Sequence, residues 1–504
     1  MEKPSQDRAS YNGMLKSTST LAGAKVITIL ISIVRTKIVA SLLGPSGIGL
    51  VNLVTSSTDL ARVFFACGLD SATTRRVAEA SGSDDPRLLD RTFRISARTA
   101  LIAGFAACLA LAAASPFLSH TILGDQGKFW WYGFGALSLI FTPLLGVELA
   151  FLQGLRKSRD LALCQIIASF VGAILNIILV SLMGVAGGVA ALLPLAVVSL
   201  IVHHSFLKRY RPVVSPPLEP VTAHHSVDLL KLGSGFAVNG IWLTASGWLN
   251  LFFITRYYGT AEGSHQVGLY GAAATMSNLY IGILVSAMAT EFYPALVQAA
   301  RDRSHLKRLL NQQTVLAMSV GMPATLGLLA LAPIVLQLLY SNEFVEGAEI
   351  MRWMLAAMAV RFASCPLGYT LFATSSPRVI MISELAMGAV MITSSFLLLQ
   401  VFGVIGIGIA LLATNLLYLF GVVIIMHRRG VHWTLHTSAL LLESAIVLGV
   451  CLSVSLLIPG WHGITICALV ITAYSAHLLI LIQKESGIDL ALILQKIRSF
   501  LPKK

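Results

Sequence analysis

Four ionisable residues lie inside two apolar runs near the start of the chain. Lys25 and Arg35 fall in residues 17–42, and Asp59 and Arg62 fall in residues 47–69. A charge at the centre of a bilayer costs roughly 2.5–3.5 kcal/mol on insertion scales, so such groups mark ligand or ion paths. Ammonium and guanidinium groups bind anions, phosphate above all. Asp59 stands three residues before Arg62, on the same helical face. It either neutralises Arg62 or Lys25, or titrates. At a rise of 1.5 Å per residue, Lys25 lies about 12 Å and Arg62 about 10 Å from the same membrane side. Two cations at matching depth on neighbouring antiparallel helices predict a cationic site. Arg35 is about 80° from Lys25 around the helix and can face the same cavity. Lys37 is nearly opposite Arg35 and is expected to snorkel to the interface.

Further along, Arg361 sits mid-helix with no acid near it in sequence, which makes it the best cation of the second half. Arg352 follows Glu346 and Glu349 closely enough for an interfacial ion pair. The acids Glu148, Glu291 and Glu384 lie near the cytoplasmic ends of their apolar runs. Each reads either as an interfacial carboxylate or, with Asp59, as a proton or cation coupling site. The histidines fall mostly in loops, with no acid or base at a motif spacing. All six cysteines lie in apolar runs, where thiols act as small hydrophobes. No metal spacing and no phosphate-binding loop is present. The expectation is a transporter without cofactor or metal, not an enzyme.

The elements that position these groups follow from composition. The 504 residues are 56% hydrophobic and 12% charged, with mean hydropathy +0.80, and apolar runs of about 20 residues recur. That defines an all-α, polytopic membrane protein. Fourteen spans are read at 17–42, 47–69, 95–117, 130–152, 161–182, 185–202, 232–255, 267–292, 315–340, 348–373, 379–399, 404–426, 439–457 and 461–482. The formal charge of +13 sits in alternate loops, so it indicates topology and not nucleic-acid binding. With the N-terminus in the cytoplasm, the outer segments keep only Lys128 and Arg256. An even count puts the C-terminus inside too. The polar first 16 residues predict no signal peptide. Trp130, Trp131, Tyr132 and Trp461 fall at the outer interface. The longest outer loops are read at 119–129 and 256–266, and the tail 489–500 as an amphipathic or solvated helix.

The chain also repeats itself. Gly44 matches Gly259, Gly49-Leu50 matches Gly268-Leu269, Pro143 matches Pro366, and GVAGGVA from Gly184 matches GVIGIGIA from Gly403. Spans one to six and seven to twelve are therefore two copies of a six-helix unit. Each copy has an even number of helices, which predicts a repeat axis along the membrane normal. The expected organisation is an N-lobe at 1–206, a cytoplasmic linker at 207–231, a C-lobe at 232–429, and two extra helices with a tail at 430–504.

The segment VRTKIVASLLGPSGIGL from Val34, then CGLDSATTRRVAEA from Cys67, resembles the start of bacterial polysaccharide flippases. These include the O-antigen and enterobacterial common antigen translocases of the multidrug/oligosaccharidyl-lipid/polysaccharide (MOP) exporter superfamily. VGLYGAAATMSNLYIGILVSAMATEFYPAL from Val267 is similar to the seventh-to-eighth helix region of that family. The resemblance implies two lobes, alternating access, and an oligosaccharide on polyprenyl (undecaprenyl) pyrophosphate as substrate. It also implies basic cavity residues for the pyrophosphate, a role that fits Lys25, Arg35 and Arg62 by position, with Arg361 across the cleft. Proton, sodium or membrane-potential coupling is expected, as are a bacterial inner-membrane location, monomeric action and contact with polysaccharide assembly proteins. Fourteen helices is the count of the lipid II flippase branch, so a peptidoglycan-precursor flippase is an alternative. A cation-coupled drug exporter would want acids in the cleft. A membrane polysaccharide polymerase would want a large outer loop.

Overall fold

The computed structural model describes residues 4–82, 86–210, 223–299, 302–375, 377–458 and 460–486. Every regular element among them is helical, as hydrocarbon demands of a chain that must satisfy its backbone locally. The side chain of Glu291 and the tail 489–500 lie outside the described residues.

The first element, α1 (Pro4–Ala66), is two helical arms that meet at Gly44, where φ is +64° and ψ −177°. Only glycine enters that region without strain, and Pro45 then starts the second arm with its φ already set. There follow α2 (Leu69–Gly82), α3 (Pro86–Leu118), α4 (Phe129–Ser138), α5 (Thr142–Gly154), α6 (Ser158–Met183), α7 (Val185–Ala190) and α8 (Leu192–Leu207). The second half runs α9 (Ala223–Tyr258), α10 (Thr260–Ala299), α11 (Arg303–Ala330), α12 (Ala332–Leu339), α13 (Ala348–Thr374), α14 (Pro377–Phe402), α15 (Ile405–Arg428), α16 (Leu435–Leu457) and α17 (Trp461–Ser486).

Eleven helical stretches among the described residues are long and apolar enough to cross a bilayer, one of them Gly23–Ala66 with both arms. Separating those arms and adding α9 and α10, of 36 and 40 residues, agrees with fourteen spans. The outer loop expected at 256–266 is not a loop. Helix α9 runs to Tyr258 and α10 starts at Thr260, because Gly259 makes the whole turn with a φ of +78°.

The chain forms two compact units, Met1–Gly271 with Leu338–Phe344, and Ala272–Gln337 with Val345–Lys504. The first unit therefore holds α9 and the start of α10 as well as α1–α8. Helix α9 packs on α1, α2 and α3, where Gly68 and Gly233 allow backbone contact: a Cβ at Gly68 would lie 2.3 Å from the Gly233 carbonyl oxygen. One apolar cluster of this unit joins Leu69, Ala72, Ala100, Val147 and Leu229. Another is built on Val77, Phe93, Phe151 and Leu207, with the Phe93 and Phe151 rings edge-to-face at 5.3 Å. In the second unit, Leu296, Leu310, Leu371 and Val422 form the centre of a core. There the Asn311 side chain accepts from the Thr434 amide at 2.7 Å, and Trp433 Nε1 donates to Thr314 at 3.2 Å. These bonds fasten the start of α16 to α11.

The repeat is visible in backbone geometry. Gly44 and Gly259 share positive φ, as do Gly184 and Gly403 (+59° and +61°). A Cβ at Gly187 would lie 1.9 Å from the Leu179 carbonyl oxygen, and one at Gly406 would lie 2.1 Å from that of Leu398. The second arm of α1 and the start of α10 pack through equivalent residues. Ser46 Oγ lies 3.5 Å from His265 Nδ1, and a Cβ at Gly49 would be 3.0 Å from the Gly268 nitrogen. Likewise a Cβ at Gly271 would be 2.5 Å from Asn52 Nδ2. Self-equivalent pairs at i, i+3 and i+6 occur only when two helices run parallel about a local twofold directed along them. An axis perpendicular to the helices would pair one position only.

Candidate functional site

The first arm of α1 turns one face to a cavity. Thr28, Ser32 and Arg35, spaced as successive turns, line about 340 Å³ together with Gln165 and Ser169 of α6 and Ser199 and His203 of α8. The second arm does the same on the other side of α8. Thr55, Thr58, Asp59 and Arg62 line about 220 Å³ with Ser138, Thr142 and again Ser199. Leu195 and Ser199 belong to both walls, so a single turn of α8 separates the two cavities. The small residues Gly172 and Ala173 leave the room on the α6 side.

The charges in this region differ in how they are balanced. Arg62 Nε donates to Asp59 Oδ1 at 3.3 Å, so the pair suggested by its i, i+3 spacing forms. Arg35 is half-buried and has no carboxylate partner among the described residues. Tyr340, buried in the same unit, is within electrostatic reach of it. Lys25 is exposed and is not among the residues lining either cavity. It continues the stripe of Thr28, Ser32 and Arg35 by one turn. Counted along the two arms, Lys25 and Arg62 are both about 27–29 Å from Gly44, whereas Arg35 is about 13 Å from it.

Two histidines expected in a loop sit on α8 instead, since that helix runs to Leu207, past the predicted end at 202. His203 is 3% exposed and its Nδ1 donates to the Ser199 carbonyl at 2.7 Å. A carbonyl only accepts, so in the neutral ring Nε2 is left as an acceptor. It is buried with no partner among the described residues. His204 Nδ1 lies 2.7 Å from Glu148 Oε1. Glu148 is 1% exposed and is no interfacial carboxylate, because α5 packs it inward against α8. Its other oxygen is buried and unpartnered among the described residues. No spacing in the sequence announces the pair, whose members are 56 positions apart. The only cue is the adjacent His203-His204 at the end of an apolar run.

In the second unit, Arg361 is exposed on α13, and the absence of an acid near it in sequence does not carry over to three dimensions. Glu384 of α14 and Tyr418 of α15 lie within its electrostatic reach, as does Tyr369 one helical face along α13. The ion pair expected at Arg352 is at best partial: its Nε is buried without an acceptor among the described residues, and Glu349 acts on it through space. No group of three or more histidine, cysteine or acidic residues able to hold a metal occurs among the described residues.

A helical bundle with these spans, and with polar cavities at membrane depth, defines a multi-pass membrane protein of the transporter type. Solved structures agree on the fold. A structure of "Lipid II flippase MurJ, inward closed conformation" superposes with a TM-score of 0.72 at 12% identity, covering 93% of this chain and 99% of that one. An inward-facing multidrug resistance MATE family transporter of the MOP superfamily gives 0.65 at 17% identity, covering 82% and 96%. The chain belongs to the polysaccharide biosynthesis protein family, whose model matches residues 38–349. It is also 22% identical over 430 residues to the lipid III flippase of Escherichia coli K12, spanning 83% of this chain and all of that protein.

Proposed function

We propose that the protein is a flippase that carries a polyprenyl-pyrophosphate-linked oligosaccharide from the cytoplasmic to the periplasmic leaflet by alternating access. One observation carries the proposal: the Arg35 guanidinium is held at membrane depth, without a carboxylate partner among the described residues, in a cavity lined by hydroxyl, amide and imidazole groups. A drug cation gains nothing from that site, and a pyrophosphate gains a great deal. The relative named lipid III flippase and the membership of a polysaccharide biosynthesis family support the reading.

Pyrophosphate is the part of the substrate that hydrocarbon rejects most strongly, so the cations lower the barrier to its transfer. Lys25 and Arg62 meet it first at one depth, Arg62 releasing Asp59 as phosphate oxygens take its place. Arg35 receives it nearly three turns closer to the Gly44 turn, and Arg361 is the further candidate cation of the second repeat. The serine, threonine and glutamine side chains offer hydrogen bonds to sugar hydroxyls, while the polyprenyl chain stays in lipid. The repeats at 1–206 and 232–429 act as the moving lobes, with 207–231 as linker and 430–504 as an appendage. The chain acts as a monomer in the cytoplasmic membrane, both termini inside, with no chemical step. Glu148 with His204 resets the cycle by binding a proton, and Asp59, Glu291 and Glu384 are the further coupling candidates.

The test is restoration of surface glycan in a bacterial strain deleted for its own lipid III flippase, scored with Arg35→Ala and Arg35→Lys. A charge-assisted hydrogen bond is worth about 1.5–3 kcal/mol, so Arg35→Ala should lower transport about ten- to a hundredfold, and Arg35→Lys should recover part of it. Normal glycan with Arg35→Ala in a protein that inserts at wild-type level would overturn the assignment.

A further inference from the structure

A third cavity, of about 270 Å³, lies away from the two described above, between the polar helix α2, the first turns of α3 and the start of α9. Its walls carry Arg76 from α2, Arg91, Thr92 and Ser96 from α3, and Asp228 and Leu229 from α9. Nothing in the transport reading uses it. Helix α2 is the least apolar of the long helices, with Asp70, Arg75, Arg76 and Glu79 in 14 residues. The cavity therefore belongs to the membrane surface and not to the hydrocarbon.

Ser96 points to a ligand. The hydroxyls of Thr92 and Thr99 on the same helix donate to the carbonyls of Leu88 and Ile95, four residues back, at 2.8 Å each. Ser96 makes no such bond. It is 0% exposed and its Oγ has no partner among the described residues. A buried hydroxyl without a partner is costly, and this one lines the cavity that holds two guanidinium groups. The one acid on the wall, Asp228, has Lys231 at 4.0 Å. The local balance is therefore positive. A guanidinium has five donors in a planar fork, so Arg91 engages a ligand while keeping its other contacts. The volume lies just below the roughly 300–1,000 Å³ of sites for drug-sized ligands, which suits a small anionic head and excludes a glycan.

We propose that this cavity is a phosphate-binding site, with Arg76 and Arg91 supplying charge and Ser96 the neutral donor. It recognises a phosphate ester or pyrophosphate group, borne either by a soluble anion or by an anionic lipid headgroup reached from the adjacent surface. Because it is separate from the Arg35 cavity, it stands whether or not the transported cargo is a glycolipid.

The full-length protein is reconstituted in nanodiscs of neutral phosphatidylcholine and titrated with inorganic pyrophosphate, following thermal unfolding. A parallel series replaces part of the lipid with phosphatidylglycerol and adds no soluble anion. The expected result is an upward shift of the melting temperature in at least one series. Arg76→Gln or Arg91→Gln weakens the response about ten- to a hundredfold. Ser96→Ala weakens it several-fold while leaving the ligand-free melting temperature unchanged or higher. Arg75→Gln, a neighbouring arginine outside the cavity that pairs with Glu79, is expected to leave the response intact. A response to pyrophosphate assigns a soluble anion, and a response to phosphatidylglycerol alone assigns a headgroup. No response in either series overturns the proposal, as does a response that Arg75→Gln reduces as much as Arg76→Gln. An unaltered response in Ser96→Ala overturns it too, because the unpartnered hydroxyl is what points to a ligand.

Discussion

Gly49→Ala tests the parallel crossing of α1 and α10 directly. The new methyl carbon would lie 1.8 Å from the Ser264 carbonyl oxygen, 2.8 Å from its carbon and 3.0 Å from the Gly268 nitrogen. All three atoms are backbone, so no rotamer change relieves the overlap, and the two helices must separate by about 1.5 Å to reach ordinary van der Waals contact. Overpacking of this kind costs typically about 1–3 kcal/mol, and rigid backbone on the far side puts this case at the upper end. The equivalent change, Gly268→Ala, meets the Pro45 carbonyl oxygen at 2.0 Å and should cost as much. The double variant should cost less than the sum, because a crossing already opened by one methyl has made room for the other. Gly247→Ala is the control. It lies in a helix with nothing within 4 Å of its new methyl, so it should be neutral or stabilising by up to about 1 kcal/mol. Thermal unfolding of the wild type and the four variants in nanodiscs, followed by tryptophan fluorescence, measures the effect. If Gly49→Ala melts with the wild type, or if the double variant is additive, equivalent residues do not meet at this crossing.

Other outcomes follow from single contacts. Gly44→Ala places a side chain at φ +64°, ψ −177° with its methyl 2.7 Å from Glu343 Oε2, and backbone strain alone should cost about 1–3 kcal/mol in a melting assay. Asp70 lies outside the spans, and its carboxyl is held above the usual range by burial, opposed in part by Arg62. One oxygen has no partner among the described residues. Its charged form is the disfavoured one, so stability is greatest below the unfolded-state value and declines as pH rises through the raised folded value. Asp70→Asn should therefore stabilise the protein by an amount that grows as pH rises from the ordinary carboxyl range through the raised folded value and then levels off, and a pH-independent difference would contradict this. Tyr474→Phe removes the buried bond to Ser444 and should cost about 1 kcal/mol, read as earlier unfolding. Glu148→Gln should leave substrate binding intact while abolishing stimulation of transport by a proton gradient, measured in proteoliposomes.

The spans were legible in the sequence because hydrocarbon imposes a local rule. About 20 apolar residues suffice to cross, and each helix satisfies its own backbone without help from neighbours. The same locality made the Gly44 turn and the Asp59–Arg62 pair readable, since both depend on residues within one turn of each other. The repeat was readable too, and with it the glycines whose positive φ recurs at Gly259, Gly184 and Gly403.

Tertiary packing decided which faces share a space. In a membrane the surroundings of a helix are as apolar as its partners, so hydrophobic pattern does not say which side of α1 or α8 turns inward. Only packing shows that Arg35 and Arg62 line cavities divided by Leu195 and Ser199, that Lys25 stays exposed at the end of the stripe, and that Glu148 meets His204. The same holds for Glu384, which reaches the field of Arg361 from another helix. Sequence alone determined a polytopic helical chain with cations at membrane depth, because those properties belong to single segments. Their assembly into polar cavities rests on how α1, α5, α6 and α8 pack, with Gly172 of α6 leaving room beside Leu195 of α8.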